Sequence, residues 1–208
     1  FIDYEYGSLE IGQKGALRKA EFVLMGAAGK SVNDTSSVFG ETTHSETTNN
    51  YKMVKGQALI ETADVTTTGT NLFGENYTTT SLTTYEYYET APGPHGVYGE
   101  MKSAVTNSVT TGSDVYGATY TTTSTTAYVI TNNRPLASVV TAHTVGSNLF
   151  GESYTTDSVT TYTYEPTGIL GRIKSASTIS TTTGTDIWGA AYTTTSTTAY
   201  VITNNRPL

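Results

Sequence analysis

The sequence predicts an all-β fold in which tandem β-hairpin repeats form an elongated repeat array or fibre. Three observations carry that prediction. The chain of 208 residues holds 45 Thr and 16 Tyr, and β-branched and aromatic side chains suit a pleated, half-buried strand surface while losing rotamer freedom in helices. The sequence repeats itself at long range. Short strand-like runs with period-two alternation are separated by recurring turn signals, the pattern of all-β folds.

The repeats set the organisation. Tyr120 to Leu136, YTTTSTTAYVITNNRPL, recurs letter for letter at Tyr192 to Leu208, a shift of 72 residues. A second register, of 77 residues, runs without gaps from Ser37 through Tyr85, so that Asn71-Leu72-Phe73-Gly74-Glu75 matches Asn148-Leu149-Phe150-Gly151-Glu152. The difference of five between the two shifts falls between Tyr85 and Ala104 on one side and Tyr162 and Ala176 on the other, where a loop tip absorbs insertions. Each long repeat is itself two half-units of about 34 to 43 residues. The units are a degenerate N-terminal repeat over 1–36, a first repeat over 37–111, a second over 112–183 and the start of a further one from 184 to 208.

Element by element, the half-unit begins with an aliphatic-aromatic pair followed by Gly40, Gly74, Gly117, Gly151 or Gly189. Gly at this step serves as a structural turn, supplying a positive φ or a bulge. A Thr-rich strand follows, ending in Tyr-x-Tyr or Tyr-x-Ile, and then a second turn leads into a Ser-Ala strand such as Ile173 to Ala176. Alternation places Met101, Val105 and Val109 on one strand face, Ile173 and Ile179 on another, and Tyr128 and Ile130 on a third. In the N-terminal unit, Tyr4-Glu5-Tyr6 matches Tyr85-Glu86-Tyr87 and Gly15 to Ala20 matches Gly171 to Ala176. Ala16 to Met25 therefore reads as strand, although it is rich in helix formers. Phe1 and Leu208 read as cuts within a longer repetitive chain.

Several chemistries lose their footing at once. A net charge of −7 opposes nucleic-acid binding, which rests on Lys and Arg neutralising phosphates. Without Cys there is no disulfide, thiolate zinc site or Cys nucleophile. No apolar run approaches the roughly 20 residues of a membrane-spanning helix. His44, His95 and His143 stand apart from one another and read as solvated surface, calcium lacks an Asp-rich loop, and no Gly-x-Ser-x-Gly elbow is present. No catalytic, cofactor-binding or metal-ligating residue is assigned, and the chain reads as a non-enzyme.

The carboxylates Glu41, Glu75 and Glu152 follow the aromatic-Gly step, while Ala118 and Ala190 stand there in the other units. That alternation predicts a contact made by the Glu. Trp188 takes the place of Phe73, Tyr116 and Phe150 and reads as a core or interface plug. With it, Tyr77, Tyr120, Tyr128, Tyr154, Tyr192 and Tyr200 form the candidate interface, since Tyr and Trp bury area at little entropic cost.

Thr160-Thr161-Tyr162-Thr163-Tyr164 followed by Gly171-Arg172-Ile173, together with Asn133-Arg134-Pro135-Leu136, resembles the repeats of RHS/YD-repeat proteins, with Tyr164-Glu165 standing where that family has Tyr-Asp. The resemblance implies long β-hairpin sheets outside the cell, at bacterial surfaces. The function expected is a structural one, in an extracellular or cell-surface filament, stalk or sheath whose partners are neighbouring repeats or identical subunits. The alternative is a cell-surface adhesin module binding glycans or a host surface through Tyr-rich loops such as Tyr85 to Tyr98.

Overall fold

The structure is a computed structural model that describes residues 2–9, 21–37, 40–166, 171–203 and 206–207. Eleven strands form one sheet in chain order, each antiparallel to the next: β1 (Ile2–Leu9), β2 (Glu21–Ser36), β3 (Thr42–Val54), β4 (Gln57–Thr70), β5 (Asn76–Tyr87), β6 (Met101–Ser113), β7 (Thr119–Thr131), β8 (Arg134–Ser147), β9 (Ser153–Tyr164), β10 (Ile173–Thr185) and β11 (Ala191–Tyr200). A short ladder of β12 (Ile202–Thr203) and β13 (Arg206–Pro207) follows. Among the described residues there is no helix. The all-β hairpin array read from the sequence is the fold. In the N-terminal unit, Tyr4 to Tyr6 lie in β1 and Glu21 to Met25 in β2, while the match of Gly15 to Ala20 falls outside the described residues.

The two ends of the sheet differ. At one end every connection is a five-residue turn, over residues 37–41, 71–75, 114–118, 148–152 and 186–190. At the other, two-residue turns alternate with longer loops. Lys55-Gly56 and Asn132-Asn133 take positive φ at both positions (49° and 82°, 50° and 60°), the geometry whose twist matches that of hairpin strands. Thirteen residues, 88–100, separate β5 from β6 and eight, 165–172, separate β9 from β10, which accounts for the five-residue difference between the two repeat shifts.

Each long hairpin also carries a β-bulge, at Glu61, Lys102, Ser138 and Lys174, where the register skips one residue of β4, β6, β8 or β10. One extra residue turns the following side chains to the other face. This corrects two expectations from alternation. Met101 pairs with Tyr87 and lies on the opposite face from Val105 and Val109, and Ile173 pairs with Tyr164, on the opposite face from Ile179. Tyr128 and Ile130 have no bulge between them and share a face.

The sheet is a single layer, and its described residues hold almost no core. The buried apolar side chains are Val54, Ala104 and Ala176. Val54 owes its burial to the 88–100 loop, which folds back so that Gly99 sits against Val54, Gln57 and Leu59. The accessible surface is 13701 Å², whereas a compact monomer of this mass exposes about 9,300 Å². An open sheet of this kind is held by its ladder hydrogen bonds and by cross-strand side-chain pairs, the unit of sheet stabilisation.

Candidate functional site: hairpin tips and aromatic rows

The tips are built alike. In the second, Asn71 N–H donates to Glu75 O (2.9 Å) and Gly74 N–H to Asn71 O (3.0 Å), a type I turn closed by a left-handed glycine bulge. Gly40, Gly74, Gly117, Gly151 and Gly189 have φ between 81° and 93°. The Asn71 side-chain oxygen accepts from Phe73 N–H (2.9 Å) and Glu75 N–H (3.0 Å), fixing the turn as Asx residues do. Asp114, Asn148 and Asp186 repeat this pair of bonds, and Ser37 makes the Glu41 N–H bond through its hydroxyl (3.2 Å).

This geometry accounts for the alternation of Glu and Ala. Where the turn opens with Asn, the amide of Asn71 or Asn148 donates to the carboxylate of Glu75 or Glu152. Where it opens with Asp114 or Asp186, a Glu at the same place would set two carboxylates together, and Ala118 or Ala190 stands there instead.

The central residues of the four fully described tips face solvent. Phe73, Tyr116, Phe150 and Trp188 are 70 to 84% exposed, Trp188 the most. Trp188 is therefore no core plug. It occupies the third position of the turn opened by Asp186, which projects beyond the sheet.

The candidate tyrosines gather elsewhere, on one face of the sheet and in two rows. In the first row Tyr77, Tyr120, Tyr154 and Tyr192 pair across their hairpins with Gly69, Gly112, Gly146 and Gly184. Each ring lies over its glycine, so that a Cβ built there would fall under 3.0 Å from the ring. These glycines escaped the sequence reading, although a constant Gly-to-Tyr spacing of eight residues marks all four pairs. In the second row Tyr128 and Tyr200 join Tyr85 and Tyr162, with Ala104 (2% exposed) and Ala176 (3% exposed) closed in between them.

Between the rows, hydroxyls meet across strands: Thr79 with Thr110 (2.9 Å), Thr122 with Thr144 (2.8 Å), Thr156 with Thr182 (2.8 Å), Ser108 with Ser124 (2.8 Å). Repetition in sequence thus becomes rows of like side chains running across the sheet. On the opposite face the sheet forms a shallow groove of about 550 Å³ floored by Leu82, Val109 and Val159.

Tyr87 and Tyr164 occupy equivalent places outside the second row and use their phenols at the bulges. Tyr87 O–H donates to Ile60 O (2.7 Å) and Tyr164 O–H to Ala137 O (2.5 Å), carbonyls next to the bulged residues. Burial, reinforced by Tyr85, pushes the Tyr87 phenol up to about 12, and burial raises Tyr164 as well. Tyr87→Phe should cost about 1 kcal/mol, the worth of one such bond. The phenol's contribution is complete below its ordinary value of 10.0 and is lost as pH rises through about 12. Between those values the variant's urea midpoint should fall less than that of the parent chain.

The three histidines each meet a carboxylate. His44 Nδ1 lies 2.5 Å from Asp34, His143 Nδ1 2.6 Å from Asp157 and His95 Nδ1 2.9 Å from Glu100. All three rings are about half exposed or more, as surface residues are, but none is isolated. The first two pairs are cross-strand partners, which linear spacing hides. The hydrogen bond to Asp34 holds His44 above its usual range. What that bond contributes is present below pH 6.5 and lost as pH rises through the raised value, so Asp34→Asn should return the His44 titration, followed by NMR, towards 6.5.

Among the described residues, no three His, Asp or Glu side chains converge as metal ligands, and no helix is long and apolar enough to cross a membrane. The 88–100 loop frames a groove of about 420 Å³ against the Asn132-Asn133 turn, lined by Tyr88, His95, Glu100 and Asn133 among others. Glu100 is buried there, accepting from His95 N–H (3.1 Å) as well as from its ring. Compared with known proteins, the chain matches no family model, no curated protein and no solved structure.

Proposed function

We propose that this chain is a structural repeat protein, part of an extracellular filament, stalk or sheath at the cell surface that assembles by β-sheet stacking or strand addition. The observation that carries the reading is the open single layer, whose 13701 Å² of surface exceeds that of a compact monomer by about 4,400 Å². A surplus of that size matches the 2,000–5,000 Å² or so buried in obligate assemblies. Strand addition has an internal precedent: Tyr120 to Tyr128 of β7 pairs with both β6 and β8, whereas the identical Tyr192 to Tyr200 of β11 pairs, among the described strands of the sheet, with β10 alone. The resemblance to RHS/YD repeats points the same way. In this reading the chain has no catalytic role and needs no cofactor.

Size-exclusion chromatography with light scattering tests the proposal. The mass should rise with concentration above that of one chain; a compact, monodisperse monomer throughout would refute it. The groove beside the 88–100 loop favours one second reading, an adhesin that holds a glycan between Tyr88 and Asn133. Glycan-array binding that disappears when residues 91–97 are deleted would favour it, and an array without binding would remove it.

A further inference from the structure

We infer that the row of hairpin tips is itself a self-association surface, through which two copies of this chain meet tip to tip. The inference rests on the assembling-sheet reading and names the contact. All four fully described tips carry an aliphatic-aromatic pair at their two central positions: Leu72-Phe73, Val115-Tyr116, Leu149-Phe150 and Ile187-Trp188. Every one of these side chains is more than half exposed.

Turn geometry does not ask for them. The first and last positions of such a turn need an Asx or Ser and a Gly, while the central two accept most residues, polar ones included. Those outer positions are filled and bonded here. Four successive apolar pairs in water are therefore a cost with no return inside the chain. The tips are also neighbours: Val115 Cγ1 lies 3.1 Å from the position of a Cβ on Gly74. Four rings at about 150–250 Å² each supply on the order of 700 Å². With the four aliphatic side chains the row reaches the roughly 800 Å² that each partner buries in a stable interface, above the few hundred Å² of ordinary surface patches.

Spacing identifies the occupant. Successive tips are two strands apart, about 9.5 Å, and a ladder of fixed period is filled along its whole length only by a ladder of the same period. A second copy of this chain provides one. Related by a two-fold axis, the rows run antiparallel and each ring of one copy falls between two of the other, the self-complementary contact of an isologous dimer. The same tips carry Glu75, Asp114, Glu152 and Asp186 and no Lys or Arg. Tip-to-tip contact brings these rims together, so association should strengthen as salt screens them.

Trp188 is the sole Trp of the chain and sits in the row, so its emission reports the contact. Light scattering and Trp fluorescence are followed together across protein concentration at low and high salt. The expected result is a blue shift that tracks the rise in mass and moves to lower concentration in high salt. Phe73→Ser/Tyr116→Ser/Phe150→Ser, which keeps the reporter, should require at least tenfold more protein for both changes, with an unchanged circular dichroism spectrum. A rise in mass with emission fixed at its exposed value, or a triple variant that associates like the parent, overturns the tip contact while leaving assembly through edges or faces intact. The absence of any rise in mass overturns both readings.

Discussion

Gly146→Val should destabilise the sheet by about 2–3 kcal/mol, the upper range for overpacking, read as a fall in the denaturant midpoint at unchanged slope. The Tyr154 ring occupies the place where a Cβ on Gly146 would stand, so valine must drive the ring off its cross-strand partner. The same substitution in a Tyr154→Ala background should be neutral, or stabilising by up to about 1 kcal/mol, because valine is a better strand residue than glycine. The double-mutant cycle therefore carries a coupling of about 2–3 kcal/mol. Additive effects would show that the Gly and Tyr rows do not hold each other. The corresponding pairs at Gly69 and Tyr77, and at Gly112 and Tyr120, where the ring alone crowds the glycine, should give the same sign.

Asn148→Asp should cost about 2 kcal/mol, since it replaces a hydrogen bond to a charged acceptor by two facing carboxylates. The Asn148 amide is the donor to Glu152, and an Asp there keeps the two backbone bonds while losing that donor. One carboxyl of such a pair is forced above its usual range, so the deficit should shrink as pH falls through that raised value. Adding Glu152→Ala converts the turn to the pattern of Asp186 and Ala190 and should restore most of the loss at neutral pH. A single variant as stable as the parent at pH 7 would mean that the Asn-Glu bond contributes nothing.

What the sequence makes visible and what it hides divide along physical lines. Thr and Tyr content, the repeat shifts and the aromatic-Gly step suffice for strands, hairpins and the position of insertions, because those depend on local propensity and chain order. Contacts across strands depend on register, which one bulge can reverse. Lys102 and Lys174 each insert one residue, and Met101 and Ile173 consequently leave the faces that alternation assigns them. His44 and Asp34 are ten residues apart in sequence and directly opposite in the sheet, so a search for ligand-like spacing passes over them. Trp188 was expected in a core or interface because it takes the place of Phe73, Tyr116 and Phe150; its place at the centre of a tip turn leaves it 84% exposed, which removes the core reading alone. The alternation of Glu and Ala predicted a contact, and only the turn geometry identified the Asn amide as its donor.

In the proposed assembly the sheet stays a single open layer and grows by adding hairpins or copies. Electron microscopy of the native assembly, with helical or two-dimensional averaging, tests it most directly. The expected image is an extended single-layer sheet whose strands lie across the growth direction, with each four-strand repeat adding about 19 Å. A closed particle of one chain, in which the sheet folds on itself into two packed layers about 10 Å apart, would contradict it.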